Sequence, residues 1–386
     1  MIFKNLPFYK YLGFFGKKKV MNKKLEPLII GDLEIEIPIV QGAMGVRVST
    51  APLCAAVAEC GGAGTIAGIG LGYGTEENQT NFTKASRESL IKEIRMAKKL
   101  TDGVVGVNLM VAVSNYDDLA RTAVREKTDF IASGAGLPLK LPEIIDNSPT
   151  KLIPIISSAR AANIIIKTWK KRYNRFPDAI VLEGPLAGGH LGFKFDDLKS
   201  HNRDGLETLL TEVLKVTNGY EKDYNINMPV IAAGGIFDGQ DIARFLQMGA
   251  KGVQVATRFV TTFECTVSER FKELYINAKE EDIIIIKSPV GMPGRAIRTE
   301  FIDKVMNGEK IPFKCNYQCL RSCNPRTAPY CIAEALFNAV CGDIENAVVF
   351  AGKNVSKIKE IVSVRELMDS LVSETVEELD RCGQLA

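Results

Sequence analysis

Histidine is scarce in this chain: two residues, His190 and His201, among 386. Imidazole is the side chain that most readily moves protons near neutral pH, so any such chemistry rests on one of these two. A strong charge of one sign is also lacking. A net charge of +3, with no basic stripe interleaved with aromatics, argues against nucleic acid as a partner. No apolar run approaches the length of a bilayer crossing, so no membrane span is expected. The G-x-G-x-x-G fingerprint of a dinucleotide site is missing. C-x-x-C pairs are missing too, although nine cysteines are present. Without regular pairing they fit a reducing compartment better than a disulfide framework, and a cytoplasmic location is expected.

What is present is ordinary globular composition, 46% hydrophobic and 25% charged, in a chain long enough for one large domain and an appendage. Residues 1–26 stand apart as an N-terminal extension. Lys4, Lys10 and Lys17 cut its apolar stretches, which makes a poor signal peptide. Its first 20 residues read as sequence upstream of a start at Met21, the alternative being a membrane-surface helix.

From about residue 37 short apolar runs alternate with segments of helical period. The runs are IPIVQGAM, GAGTIAG, VVGVNLMVAV, DFIASGAG, KLIPIIS, AIVLEGPLAGG, PVIAAGG and GVQVATRFV. Each is rich in Val, Ile, Ala and Gly and lacks polar alternation, as strands covered on both faces do. SRESLIKEIRMAKKL and DGQDIARFLQMGA carry the helical pattern between them. Eight such units predict an α/β fold, a (β/α)₈ barrel of the TIM type over residues 27–265, with a doubly wound sheet as the competing architecture. The pattern then changes, and a small lid domain is expected over 266–325. Helices over 326–386 are expected to return to the barrel. Ser363 and Glu366 have capping-box spacing ahead of an apolar face of Val364, Leu367, Met368, Leu371 and Val372. The last dozen residues are acidic and read as solvated.

VLEGPLAGGHLGF, residues 181–193, reads as a buried strand breaking into Gly188, Gly189 and His190. Two glycines let backbone approach a flat ligand closely, and a histidine at a strand end sits where α/β proteins place their chemistry. Gly42, Ala43 and Met44 close the first strand with small residues that leave room for a planar ring. Asn108 is an amide on an otherwise apolar strand and needs partners for its donors and acceptors. Gly234 and Gly235 follow strand seven. Gln254, Val255, Ala256 and Thr257 follow strand eight. These are the two barrel loops that commonly bind phosphate.

PIVQGAMG, GVNLM, EGPLAGGHLG, AAGGIFDG, GVQVATRF and GMPGRA together resemble the nitronate monooxygenase family and its relative, the flavin-dependent enoyl-acyl-carrier-protein reductase, over roughly residues 27–300. The resemblance implies a flavin-binding barrel with a small lid, FMN as cofactor and His190 as the catalytic residue. It places Asn108, Glu183, Gly188, Gly235 and the run Gln254 to Thr257 at the flavin. Three departures bear on substrate. Glu183 stands where the monooxygenases usually carry glutamine, Ala256 where both families favour glycine, and Pro185 and Leu186 replace the usual residues before AGGH. The implied chemistry is oxidation of alkyl nitronates by oxygen. The alternatives are reduction of an enoyl thioester by NAD(P)H and a redox-sensing module with little turnover. The implied partners are a small-molecule substrate, a nitronate or enoyl thioester, with NAD(P)H in the reductase reading; a homodimer is compatible with the chain.

Cys315, Cys319, Cys323 and Cys331 could hold zinc or an iron–sulfur cluster by number, and the first three would share a face if helical. Their spacing matches no zinc ribbon or common ferredoxin run. Reduced, partly buried thiols are expected and no metal. Cys54, Cys60, Cys265 and Cys341 read as small core residues and His201, in KSHNRDG, as a surface residue.

Overall fold

The structure, a computed structural model, describes residues 25–145, 148–199 and 205–383. The extension up to residue 24 and His201 lie outside the described residues, so the expectations for them stand untested. Eight parallel strands form the sheet: β1 Ile39–Gln41, β2 Gly64–Ala67, β3 Val105–Met110, β4 Phe130–Gly134, β5 Lys151–Ile156, β6 Ile180–Glu183, β7 Val230–Ala233 and β8 Gly252–Val255. Each pairs with its chain neighbours, and β8 pairs with β1 through Val253–Ile39 and Val255–Gln41. A parallel bridge between Val40 and Ala63 joins β1 to β2, with Gln41 N–H donating to Ala63 O at 2.8 Å. The strands thus close on themselves as the TIM barrel expected.

The period of two divides each strand between two cores. Inward positions Val40, Phe130, Ala132, Ile153, Val181, Ile231 and Ala233 pack together inside the barrel. The hairpin Leu28–Ile30/Leu33–Ile35 joins the same cluster through Leu28, Ile30 and Ile35 and so plugs the amino-terminal end. Outward positions such as Val107, Ile131, Leu182 and Val253 pack against the helices. Gly106 is fixed by this filling, because a Cβ there would fall 2.2 Å from the Phe130 ring. The alternation also decides the site. Counting inward from Val181 and Ala233, the next inward positions at the carboxyl ends are Glu183 and Gln254, and on β3 Asn108.

The run AIVLEGPLAGG is not one strand. β6 stops at Glu183, a turn follows, and Gly189–His190 forms a two-residue strand in a different sheet. That small sheet holds β9 Ile283–Lys287, β10 Pro293–Ile297 and β11 Val349–Phe350, with His190 opposite Gly294 and Gly189 opposite Arg295. Because β11 and the helix Ile332–Cys341 pack with this sheet and its neighbours, we propose that the second unit continues past the expected break at 325 as far as β11.

The last helix, Val364–Arg381, carries the expected capping box, with Ser363 Oγ accepting from Glu366 N at 3.1 Å and Glu366 accepting from Ser363 N at 2.7 Å. It lies along the helix Gly239–Gln247 on the barrel exterior. Its apolar face runs further than expected. Val376 and Leu379 are buried against Leu25 and Ala243, so the helix stays packed where solvated residues were expected.

Candidate active site

Polar side chains left without partners mark the cavity at the carboxyl ends of the strands. The cavity has a volume of about 270 Å³ and is lined by Asn108, Glu183 and Gln254. None of the three side chains has a hydrogen-bond partner among the described residues. Burial alone pushes the Glu183 carboxyl up to about 7. All three are half-buried and open to the cavity, so this inward trio can present donors and acceptors to a ligand edge. Gly42, Ala43 and Met44 line the same cavity. Gln41 holds that turn: its amide donates to Gly42 O at 2.6 Å and Ser49 Oγ at 2.9 Å, and accepts from Thr65 N at 3.0 Å.

At the other end, Gly234 and Gly235 take φ of +93° and +90°, a conformation that suits glycine. Ala256 and Thr257 border the cavity beside them. The helix that opens at Thr257 has only four residues, so it contributes little dipole; an anion here would rely on loop amides and cations. Arg258 and Lys353 supply those cations to the lining. Arg258 donates to Phe237 O at 2.8 Å and covers its ring at 4.4 Å, and Lys353 pairs with Glu280 at 3.0 Å. The segment after β11 binds the strand tips together. Gly352 N donates to Thr257 Oγ1 at 3.0 Å, Lys353 N to Leu186 O at 3.1 Å, and Asn354 Nδ2 to Gly235 O at 2.7 Å. Gly188 permits this closeness, since a Cβ there would meet the Ala351 carbonyl carbon at 2.5 Å.

His190 faces the cavity from the small sheet, with Gly188 and Gly189 beside it. Its Nε2 lies 2.7 Å from Ser288 Oγ, which also accepts from Val290 N at 3.3 Å. The Phe350 ring packs edge-on at 4.9 Å. Apolar burial lowers the imidazole to about 4, so the ring is neutral at neutral pH. Arg295, 3% exposed, donates to Pro185 O at 2.7 Å and Ala187 O at 2.6 Å. It thereby sets the path of the turn that delivers His190.

The cavity brings together every expected site residue except Val255, whose outward side chain is 2% exposed in the outer core, on the opposite face from Gln254. Sequence reasoning missed Arg258, Ser288, Arg295, Lys353 and Asn354. Arg258 and Arg295 stood in motifs already singled out, and their charge beside glycines was an available signal. Ser288 and Asn354 had none, because they meet the site only through the small sheet and the segment after it.

The cysteine-rich segment is not helical, so Cys315, Cys319 and Cys323 share no helix face; it runs as turns with a bridge from Leu320 to Val113. Among the described residues no three His, Cys, Asp or Glu side chains are arranged to hold a metal. Burial, then the neighbouring thiols, pushes Cys319 up to about 12. Cys54 and Cys265 are buried as expected, whereas Cys60 is half-buried and Cys341 is exposed at a helix end.

A TIM barrel with unpaired polar groups on its strand ends and an imidazole held over them defines a barrel enzyme acting on a bound flat ligand. The nitronate monooxygenase family model matches residues 26–132 and 114–374. The chain belongs to that family and is a flavin-dependent oxidoreductase. It is 29% identical over 276 residues, 72% of this chain and 67% of the relative, to a hydroxy-methyl-oxo-octahydroindene-carboxyl-CoA dehydrogenase of Mycobacterium tuberculosis. It is 28% identical over 305 residues, 72% of this chain and 79% of the relative, to a probable nitronate monooxygenase of Staphylococcus aureus. Among solved structures, FabK from Thermotoga maritima superimposes with a TM-score of 0.71 at 29% identity, covering 90% of this chain and 96% of that one. A nitroalkane oxidase from Streptomyces ansochromogenes shares the fold, with a TM-score of 0.70 at 21% identity and coverage of 90% and 98%.

Proposed function

We propose that the protein binds FMN without a covalent link and oxidises alkyl nitronates with oxygen, His190 handling the proton at the substrate carbon. The observation that carries this reading is the pairing of a neutral, cavity-facing His190 with the unpartnered trio Asn108, Glu183 and Gln254. The trio would hold the edge of the flavin ring. Gly234, Gly235, Ala256 and Thr257, with Arg258 and Lys353, would hold one phosphate, and the missing G-x-G-x-x-G run argues against a dinucleotide. When bound, FMN supplies the electron transfer.

His190 then acts on neutral nitroalkanes as the base. With Nε2 carrying hydrogen toward Ser288 Oγ, Nδ1 is the nitrogen free to accept the substrate proton, and the Nε2–H···Oγ bond persists in the imidazolium. Apolar walls exclude water from the step. A second reading, reduction of an enoyl thioester by NAD(P)H, is favoured by the likeness to FabK and by Glu183 in place of glutamine. The deciding experiment is the absorption spectrum of the purified protein, with flavin released by heat and identified by chromatography. Oxygen uptake on propionate 3-nitronate is then compared with NADH oxidation on crotonyl thioester, under air and nitrogen. Yellow protein, FMN and nitronate-dependent oxygen uptake are expected. FAD or no flavin after reconstitution overturns the phosphate-site reading, and NADH oxidation alone selects the reductase.

A further inference from the structure

The cavity extends beyond the trio and His190 into a region walled by different elements. There the lining comes from Phe82 and Ser86 on the helix Phe82–Leu100, from Val113 and Asn115 after β3, from Leu320 in the cysteine-rich segment and from Leu336 on the helix Ile332–Cys341. Direct contacts hold these walls together. Tyr317 stacks on Phe82 at 4.6 Å and accepts from Asn78 Nδ2 at 2.5 Å. Leu320 bridges Val113, and Ser114 N donates to Cys319 O at 3.0 Å.

This apolar chamber holds two polar side chains with nothing to bond. Asn115 is 8% exposed, and its Nδ2 is buried with no partner. It precedes a helix yet makes no side-chain cap bond, so helix capping does not explain it. The Ser86 hydroxyl, on a residue 2% exposed, also lines the cavity without a partner among the described residues. The charged cavity residues Glu183, Arg258 and Lys353 belong to the strand ends and the segment after β11, not to this chamber.

We propose that Asn115 and Ser86 form a distal binding subsite for the substrate, which is a neutral amphipathic molecule. Its apolar body fills the chamber, and a hydroxyl or carbonyl oxygen remote from the reacting carbon bonds the Asn115 amide and the Ser86 hydroxyl. A charged far end is disfavoured, because the chamber offers it no counter-charge. Small nitronates leave the subsite unfilled.

The inference rests on the nitronate reading for the reacting end of the molecule but is tested by binding. Nitrohexane and its terminal-hydroxyl derivative are titrated into the flavin-loaded protein by calorimetry, and kcat/KM is measured for both. The hydroxyl compound should bind about tenfold more tightly, the usual worth of a satisfied buried hydrogen bond. In Asn115→Leu and Ser86→Ala the ratio of the two dissociation constants should collapse toward one. Ser86→Ala is conservative and keeps the test available if Asn115→Leu does not fold. No preference in the wild type, a preference untouched by both replacements, or no binding of either compound overturns the subsite. Preferential binding without turnover of either compound, supplied neutral or as its pre-formed nitronate, sinks the nitronate reading and leaves the subsite standing.

Discussion

His190 is held at about 4 by apolar surroundings, and this fixes what its removal and its titration should look like. His190→Ala should retain flavin, because the groups proposed to hold its ring and phosphate sit on other elements. Turnover of a neutral nitroalkane should fall by roughly two to four powers of ten. A pre-formed nitronate needs no deprotonation and should suffer less, and equal losses on both would mark a binding role. The acid limb of kcat/KM for the neutral nitroalkane should fall as pH drops through about 4, where the imidazole gains its proton, and not near 6.5. Glu183 behaves in the opposite sense. Its carboxyl is raised to about 7, so the folded state binds the proton more tightly than the unfolded chain, and stability is lost as pH rises from about 4.5 to about 7. Glu183→Gln should flatten that part of the pH–stability curve, a difference on the order of 3 kcal/mol at pH 8 by thermal or urea melts. An unchanged curve would mean that the carboxyl is solvated. His190 was legible in the sequence as a rare residue type at the end of an apolar run, and Glu183 only through the family resemblance. Their environments were not legible, since desolvation depends on what packs around them.

At the scale of elements, strand alternation explains both the success and the limits of sequence reasoning. Eight apolar runs with glycine tips were enough to count the strands, and the period of two selects Asn108, Glu183 and Gln254. It also turns Val255 away, which a reading of the run as one motif overlooks. The break after Glu183 could not be read, because the partner of Gly189–His190 is more than a hundred residues distant. Arg295 is the residue that makes this break work. Arg295→Met removes two charge-assisted bonds to Pro185 and Ala187 and should cost ~2–4 kcal/mol, with kcat falling more than flavin affinity. Retention of full activity would show that the turn holds its own shape. Gly235 carries a steric demand as well. A Cβ there would lie 2.9 Å from Leu186 Cβ, at φ +90°. Gly235→Asp should therefore lose FMN through strain as well as repulsion. Gly235→Ala separates the two, and full flavin retention by both would place the phosphate elsewhere.

For the whole molecule, the closing helix Val364–Arg381 straps the barrel exterior, packing on the helices Gly239–Gln247 and Ala51–Glu59. It buries Leu367, Met368 and Leu371, and Glu374 accepts from Gly239 N at 2.8 Å, at the start of the helix after β7. Removing residues from 363 onward should lower the melting temperature and loosen the β7 tip together, read as faster hydrogen exchange at Gly234 and Gly235. Loss of stability with unchanged exchange there would separate the strap from the site. The capping box announced this helix in the sequence; the neighbour it grips could not be read, because that contact depends on closure of the barrel.

The small sheet has a consequence for how such an enzyme can be altered. Most of the groups suited to holding the cofactor belong to the barrel, Lys353 coming from the segment after β11, while His190, the proposed proton acceptor, hangs from β10 by two residue pairs, His190–Gly294 and Gly189–Arg295. Cofactor retention and proton chemistry are therefore separable inheritances. A chimera exchanging Gly189–His190 together with β9 and β10 for those of a relative should keep its colour and change its base, its reach and its preferred substrate acidity, without rewriting a single strand of the barrel.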